Sequence, residues 1–484
     1  MTDRMRLLPC GQAVNSNLSS VWDAGKEINM RKKVAFHTLG CRVNTYETEA
    51  MTEQLRGEGY EIVPFDECAD IYIINTCTVT NIADRKSRQM LHRAREMNPA
   101  AVVVAAGCYA EGASGKLMED AAVDLVVGNQ DKIRLAEILR EYDAGVPAAL
   151  PQVPIGRVKE YAPLSISETE GRTRAFLKIQ DGCNQFCTYC MIPYVRGRVR
   201  SRDPEDIVQE AARLAEAGYS EIVLTGIHIS SYGLDFDFPG ENRQTPFADR
   251  AETNRHLLQL ARRTAGVPGV RRLRFGSLEP GIMTEEFVKA LAELPETCPQ
   301  FHLSLQSGCD ATLARMNRRY DTASYAAICD RLRTAFVKPA ITTDIIVGFP
   351  GETDEEFSET LGFARKIGFS KMHIFKYSKR DGTKAASMKN QVSEQVRKKR
   401  SEVLLDLDRE MHLSYASLFR DAETEVLFEE RKTENGITYE SGHTPEALDA
   451  YCVSGEDLSG RIVRCKVRDI RDDGTLLCED IFPA

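Results

Sequence analysis

From residue 34 onward the chain alternates short apolar runs with helical stretches, twice over, and that rhythm confines it to α/β architectures built on parallel strands. The first series has strand-like runs at 34–39, 71–75, 101–106 and 123–127, separated by helical stretches at 46–58, 83–97 and 112–119. The second has six apolar runs, at 175–179, 221–225, 271–276, 301–305, 340–347 and 371–376, which predict an open (β/α)6 barrel closed by a charged helix over 393–418. Residues 422–482 read differently, as five short strands with turns at Glu434-Asn435-Gly436, Ser454-Gly455 and Asp472-Asp473-Gly474, a small β-barrel. The expected fold class is therefore α/β, with domains at 31–140, 172–420 and 421–484. A Pro-rich linker (Pro147, Pro151, Pro154, Pro163) fills 141–171, and 233–252 is a long loop. Residues 1–30 carry no periodicity and read as a non-native or disordered extension ahead of a start at Met30.

Composition narrows the classes. Hydrophobic residues at 42% and charged ones at 28% are those of a soluble globular chain, and the longest apolar run, 100–108, falls far short of the roughly 18 residues that span a bilayer. No membrane association is expected. A net charge of −9 excludes a generally basic nucleic-acid coat, and no DNA partner is expected, but local basic patches remain open. Fourteen cysteines in 484 residues are too few for a disulfide scaffold, and no secretory leader opens the chain. A reducing cytoplasm is the expected location, where clustered cysteines serve metals or catalysis.

Six cysteines fall into two threes. Cys183-Asn-Gln-Phe-Cys187-Thr-Tyr-Cys190 places three thiols in eight residues directly after a strand. Three thiolates satisfy three irons of a [4Fe–4S] cube and leave the fourth iron open to a reactant. A structural zinc site would need a fourth ligand, and the next histidine is as far away as His228. The second set is dispersed but regular: Cys41, Cys77 and Cys108 each follow an apolar strand directly. In a parallel sheet the carboxyl ends of the strands share one edge, where ligands of open α/β sheets collect, so three sequence-distant thiols can converge on a second cluster. Gly40 and Gly107, each just before a cysteine, permit a tight turn there. The other eight cysteines, among them Cys10 and Cys68, show no ligand spacing and read as packing residues.

The spacing Cys183-x3-Cys187-x-Tyr189-Cys190 resembles the hallmark of the radical S-adenosylmethionine superfamily. That resemblance implies a barrel of about six β/α units, S-adenosylmethionine chelating the open iron, and Tyr189 near its adenine. With the second triad and the terminal β-barrel, the whole of 33–480 resembles the methylthiotransferases. The likeness is carried by His37-Thr38-Leu39-Gly40-Cys41-Arg42-Val43-Asn44-Thr45-Tyr46-Glu47-Thr48-Glu49, Asn75-Thr76-Cys77-Thr78-Val79-Thr80 and Leu303-Ser304-Leu305-Gln306-Ser307-Gly308-Cys309-Asp310. The branch these segments are most similar to converts N6-threonylcarbamoyladenosine, beside the tRNA anticodon, to its 2-methylthio derivative. Sister branches act on isopentenyladenosine in tRNA or on an aspartate of a ribosomal protein. The family's chemistry implies two [4Fe–4S] clusters, two uses of S-adenosylmethionine, an electron donor such as flavodoxin or ferredoxin, and a sulfur source. One S-adenosylmethionine methylates sulfur held at the N-terminal cluster, and the other is cleaved to a 5′-deoxyadenosyl radical. The alternative from another class is a non-enzymatic iron–sulfur protein serving RNA binding or redox transfer.

S-adenosylmethionine is a zwitterion with a ribose and a base, so its pocket calls for paired charges and polar strand ends. Thr225 and Gly226, Glu279, Ser304 and Gln306, and Asp344 with Gly348 stand at the carboxyl ends of successive expected barrel strands, where function gathers in such barrels. By resemblance, Arg318 belongs with them. No catalytic residue beyond the cluster ligands is assigned. For RNA, residues 172–202 carry seven basic groups against Asp181 alone, a net +6, and 376–400 carry nine against two, a net +7. Arg196, Arg198 and Arg200, beside the cysteine loop, are the expected phosphate contacts. The Arg397-Lys398-Lys399-Arg400 run reads equally as a solvated helix face. The terminal barrel resembles a TRAM domain, a small RNA-binding module, yet 421–484 is net −9; only the strand carrying Arg461, Arg464 and Lys466 offers it a basic edge.

Overall fold

The computed structural model describes residues 31–146, 153–169, 172–239, 250–434 and 436–482. The extension expected at 1–30, Asn435 and parts of the expected linker and long loop lie outside these residues. The chain forms two compact units: one comprises residues up to Val158 together with Ala162–Leu164 and Tyr194–Arg196, and the other holds the remainder.

The first unit is a parallel five-stranded sheet of β1 (Lys33–Thr38), β2 (Glu61–Val63), β3 (Ile71–Thr76), β4 (Val102–Gly107) and β5 (Leu125–Val127), in the order β2-β1-β3-β4-β5. Every residue of β3 is buried, because helices cover both faces. Its period-two alternation splits the sheet between two cores. Ile71 and Ile73 pack with Leu55, Leu135 and Leu139, whereas Tyr72 and Ile74 pack with Leu91 and Tyr109. Each such fully buried aliphatic side chain contributes about 1.5–3 kcal/mol. The three-residue β2 is too short to stand out in the sequence, and the helix expected at 112–119 is instead two short helices, Cys108–Gly112 and Ser114–Met118.

In the second unit six parallel strands follow: β6 (Arg174–Asp181), β8 (Glu221–Gly226), β9 (Arg272–Phe275), β10 (Gln300–His302), β11 (Ala340–Val347) and β12 (Lys371–Lys376), with the short β7 (Arg200–Ser201) antiparallel beside β6. They form sheets β7-β6-β8-β9 and β10-β11-β12, which the parallel bridges Leu273 to Thr297 and Leu278 to Leu303 join into the open barrel. The helices between strands begin where side chains cap them: Asp203, Thr284, Asp321, Thr353 and Ser393 each accept a backbone N–H from the first turn. Each cap contributes about 1 kcal/mol and fixes where the crossover turns back. β10 is shorter than expected because from Leu303 the chain leaves the regular strand, and Gln306 adopts φ +74°.

The C-terminal five strands, β13 (Glu423–Glu434), β14 (Ile437–His443), β15 (Asp449–Cys452), β16 (Ile462–Ile470) and β17 (Leu476–Phe482), close into a barrel in the order β13-β14-β15-β17-β16. A buried charge cluster fastens this small barrel to the amino ends of the large barrel's strands. Glu221 of β8 is fully buried, with Arg274 Nε at 2.9 Å and His443 Nε2 at 3.0 Å. Arg272 and Arg274 also donate to the carbonyls of Glu425 (3.0 Å) and Pro445 (2.9 Å). Burial opposes ionisation of Glu221, but Arg274 and His443 overcome it and hold its pKa well below the usual carboxylate range. The expected linker also packs: Leu164 and Ile166 are buried, the Leu164 carbonyl accepting from Tyr46 Oη at 2.7 Å. Of the cysteines assigned to packing, Cys298, Cys309, Cys329, Cys452, Cys465 and Cys478 are buried, but Cys68 is exposed on a loop, so it is not a core residue; Cys10 lies outside the described residues.

Candidate active site

In the first unit, β1, β3 and β4 are adjacent, so the residues that follow them share one edge of the sheet. Cys41 occupies the N-cap position of the helix Arg42–Gly57, Cys77 follows β3, and Cys108 begins the helix after β4. A Cβ at Gly40 would stand 2.9 Å from Cys77 Sγ, so the turn before Cys41 lies directly against Cys77. Polar side chains lace the strand ends together. Asn44 Nδ2 donates to the carbonyls of Leu39 (2.7 Å) and Thr76 (2.9 Å), Asn75 Nδ2 to the Asn44 carbonyl (2.9 Å), and Thr76 Oγ1 to the Ala106 carbonyl (2.5 Å). Burial pushes the Cys77 thiol up to about 11, and Cys108 and Cys41 add to the shift. Cys108 is raised by burial too, with Arg196 and Lys132 pulling it back. Cys41 thus acts on both Cys77 and Cys108.

The second triad lies on the loop after β6. Its backbone is held by Cys183 N–H to the Gly197 carbonyl (3.0 Å), Thr188 N–H to the Met316 carbonyl (3.0 Å) and Asn317 Nδ2 to the Phe186 carbonyl (3.1 Å). Phe186, Gln306 and Asn317 all take positive φ (50°, 74° and 61°), and such strain collects where a site over-determines its backbone. Arg318 organises the surroundings: Nη1 donates to Cys187 Sγ at 3.2 Å, Nη2 to Glu279 Oε2 at 3.1 Å and to the Ser304 carbonyl at 3.2 Å, and Nε contacts Tyr320 Oη at 2.8 Å. Burial disfavours its charge, yet Glu279 beside it holds Arg318 protonated above the usual arginine range. Burial raises Cys183 well above the usual thiol range and Cys190 to about 12, Cys187 adding to both. Tyr189 packs edge-on against Phe349, with ring centroids 6.4 Å apart.

Among the described residues no three His, Cys, Asp or Glu side chains sit tightly enough to hold a single metal ion. Each triad supplies three thiols, one short of the four protein ligands of a structural zinc site. An all-thiolate set of this kind fits an iron–sulfur cluster and does not fit the tight tetrahedron of structural zinc.

Residues 177–364 match the radical SAM superfamily, and residues 33–128 match the uncharacterized protein family UPF0004. The chain is 40% identical, over 90% of its length and 93% of the relative's, to the threonylcarbamoyladenosine tRNA methylthiotransferase MtaB of Bacillus subtilis (strain 168). It is 39% identical to that of Aquifex aeolicus (84% of this chain, 95% of the relative). The chain belongs to the MtaB family of radical S-adenosylmethionine methylthiotransferases. A tRNA-2-methylthio-N(6)-dimethylallyladenosine synthase of Maricaulis maris is more distant, at 34% identity over 90% of this chain and 95% of that one. Among solved structures, the radical S-adenosylmethionine methyltransferase TsrM of Kitasatospora setae shares the fold, with TM-score 0.50 and 16% identity over 71% of this chain and 73% of that one.

Membership in the MtaB family brings S-adenosylmethionine and [4Fe–4S] clusters as cofactors, and the expected cofactor residues divide in the structure. Glu279, Ser304, Arg318 and Tyr189 gather around the second triad, Arg318 touching Cys187, Glu279 and the Ser304 carbonyl. Gln306 lies in the same stretch as Ser304, its backbone bridging to Asp344 and Ile346 of β11 at 2.8 and 2.9 Å. Thr225 is buried at the end of β8, and a Cβ on Gly226 would stand 3.0 Å from the Gln180 carbonyl, so these two pack against β6. The Asp344 carboxylate faces His302, 3.2 Å from Nε2. Gly348 is occupied on one side, since a Cβ there would run into the Arg397 side chain. Sequence reading missed His228, whose Nε2 is 3.4 Å from Glu279 Oε2, and Tyr320, because neither stands in a spacing that signals a site.

The RNA assignment needs correction. Arg196 is fully buried, with Nε on Cys108 Sγ at 3.1 Å, Nη2 on Asn44 Oδ1 at 2.6 Å and both terminal nitrogens on the Glu47 carboxylate. Arg200 is 2% exposed, 3.7 Å from Asp181. Neither can meet a phosphate. Their charge serves the interior, which a local charge count cannot reveal. Arg198 is half-buried over the Phe186 ring (4.3 Å to its centroid) and remains near the surface. Half of the 397–400 run is also internal: Arg400 is buried on Glu352 (2.6 Å) and Arg397 pairs with Glu394 (3.0 Å), leaving Lys398 and Lys399 exposed. Arg461, just before β16, and Arg464 on it are exposed but paired with Glu456 (3.4 Å) and Glu423 (2.5 Å), and Lys466 is half-buried. Exposed pairs of this kind are worth about 0–1 kcal/mol and leave the arginines exchangeable toward other anions. No helix among the described residues is long and apolar enough to cross a membrane.

Proposed function

We propose that the protein methylthiolates C2 of N6-threonylcarbamoyladenosine at position 37 of tRNA, with Cys41, Cys77 and Cys108 holding one [4Fe–4S] cluster and Cys183, Cys187 and Cys190 the other. The observation that carries the reading is the pair of three-thiol sets, each one protein ligand short of a complete cluster. When bound, the clusters and S-adenosylmethionine supply the one-electron and sulfur-transfer chemistry that side chains lack. The chain's own groups bind and orient. Arg318 and Glu279 offer a fixed cation and anion to a zwitterionic cofactor, the carbonyl of Ser304 is held in place by Arg318, and the Tyr189 ring against Phe349 gives a flat apolar surface for a base. The reaction also requires a low-potential electron donor, such as flavodoxin or ferredoxin, and a sulfur source.

The test is mass spectrometry of tRNA nucleosides from a strain lacking the gene and from the same strain complemented. Loss and return of 2-methylthio-N6-threonylcarbamoyladenosine supports the reading. Unchanged levels of that nucleoside, with loss of the dimethylallyl counterpart or of a ribosomal-protein methylthio group, refutes it.

A further inference from the structure

A guanidinium that charge counting assigns to the RNA surface is sealed beside a cysteine. Arg196, Lys132 and Glu47 are all fully buried. Lys132 Nζ and the guanidinium both contact the one Glu47 carboxylate, which places two cations around a single carboxylate. Asn44 Oδ1 takes a third guanidinium hydrogen without adding charge, and Nε–H points to Cys108 Sγ at 3.1 Å. The nearby Glu111 carboxylate, which accepts from the Asn129 N–H at 2.9 Å, also feels Arg196 and Lys132 and is a second anion in their surroundings. A cation held away from solvent favours an anion beside it, and the guanidinium is placed to face a metal-bound sulfur at Cys108. A metal-bound thiolate on an anionic cluster is such an anion, and a hydrogen bond to its sulfur together with a nearby cation are two of the levers that set a cluster's potential.

We propose that Arg196 is a positioning residue for the N-terminal iron–sulfur cluster: its Nε–H fixes the Cys108 sulfur as a ligand, and its charge raises that cluster's reduction potential. The proposal rests on the reading that Cys41, Cys77 and Cys108 hold a cluster.

The test uses the full-length chain with Cys183, Cys187 and Cys190 changed to Ala, so that any remaining iron reports the first unit. After anaerobic reconstitution, iron and sulfide are counted, the midpoint potential is followed by electron paramagnetic resonance, and iron loss to a chelator is timed. With Arg196 intact about four irons remain; no iron in that folded parent overturns the ligand reading itself. Arg196→Met is expected to shift the midpoint to more negative potential and to speed iron loss at least tenfold. Arg196→Lys keeps the charge without the fork, so its midpoint should fall between the two while iron loss stays fast. An unchanged midpoint and unchanged iron loss in folded Arg196→Met overturns the proposal. If the Met variant does not fold, Arg196→Lys decides: parent-like midpoint and iron retention overturn the proposal.

Discussion

Replacing Gly107 by alanine separates a backbone requirement of the first triad from general glycine strain. Gly107 precedes Cys108 with φ +92° and ψ −164°, a region that only glycine occupies without strain. A Cβ built there would stand 2.5 Å from the Thr76 carbonyl and 2.8 Å from the Thr76 nitrogen, both main-chain atoms of the neighbouring β3 in register with it. Gly59 is the control in the same unit: φ is +89°, but its Cβ would meet nothing within 4 Å. Gly59→Ala should therefore cost about 1 kcal/mol, the effect of alanine at positive φ. Gly107→Ala adds the clash to its own strain. About 1–3 kcal/mol of strain and about 1 kcal/mol for a disturbed backbone hydrogen bond give about 2–4 kcal/mol, delivered at the cysteine. Thermal unfolding and iron content after reconstitution report the two effects. Gly59→Ala should keep about eight irons, and Gly107→Ala should fall toward about four while remaining folded. Equal iron and equal stability in the two variants would refute the argument that contact with β3, and not φ alone, fixes the turn.

Cys77→Ala should abolish methylthiolation but leave reductive cleavage of S-adenosylmethionine measurable, since the other triad lies in the other unit; loss of both in a folded protein contradicts their independence. Glu221→Gln should destabilise by about 3–5 kcal/mol, because it leaves buried arginines without their carboxylate. The folded-state pKa of Glu221 is depressed, so its contribution is full above the ordinary glutamate range and is lost as the pH falls through the lowered value. The melting-temperature gap between wild type and variant should accordingly hold near neutrality and narrow in acid, and a gap independent of pH counts against it. For RNA, exposed Lys384, Lys389 and Lys399 together replaced by Ala should flatten the salt dependence of tRNA binding by about 0.7–0.9 in log–log slope for each phosphate no longer neutralised, more than Arg464→Ala does. A larger effect from Arg464 would place the RNA on the small barrel.

Much of the site was legible because its chemistry is local or periodic. Cys183, Cys187 and Cys190 are close in sequence, and Cys41, Cys77 and Cys108 each end a strand of a series whose parallel topology leaves one shared edge. What stayed hidden lay in side-chain direction. Arg196, Arg198 and Arg200 alternate along the chain and look equivalent by charge, yet the first and last point inward, to Glu47 with Cys108 and to Asp181, while Arg198 lies over Phe186. Glu47 and Lys132 are separated by 85 positions, and no spacing rule joins them. Glu279, Arg318 and His228 likewise meet only because their loops close over the same end of the barrel.

The sequence by itself determined the strand and helix rhythm, the two cysteine sets and the separate all-β tail, since hydrophobic period, thiol spacing and turn residues act through near neighbours. Tertiary structure alone decided which charges face water and which are sealed inside. Desolvation makes a buried cation tolerable only beside its anion, and that partner is brought from another part of the chain by the fold.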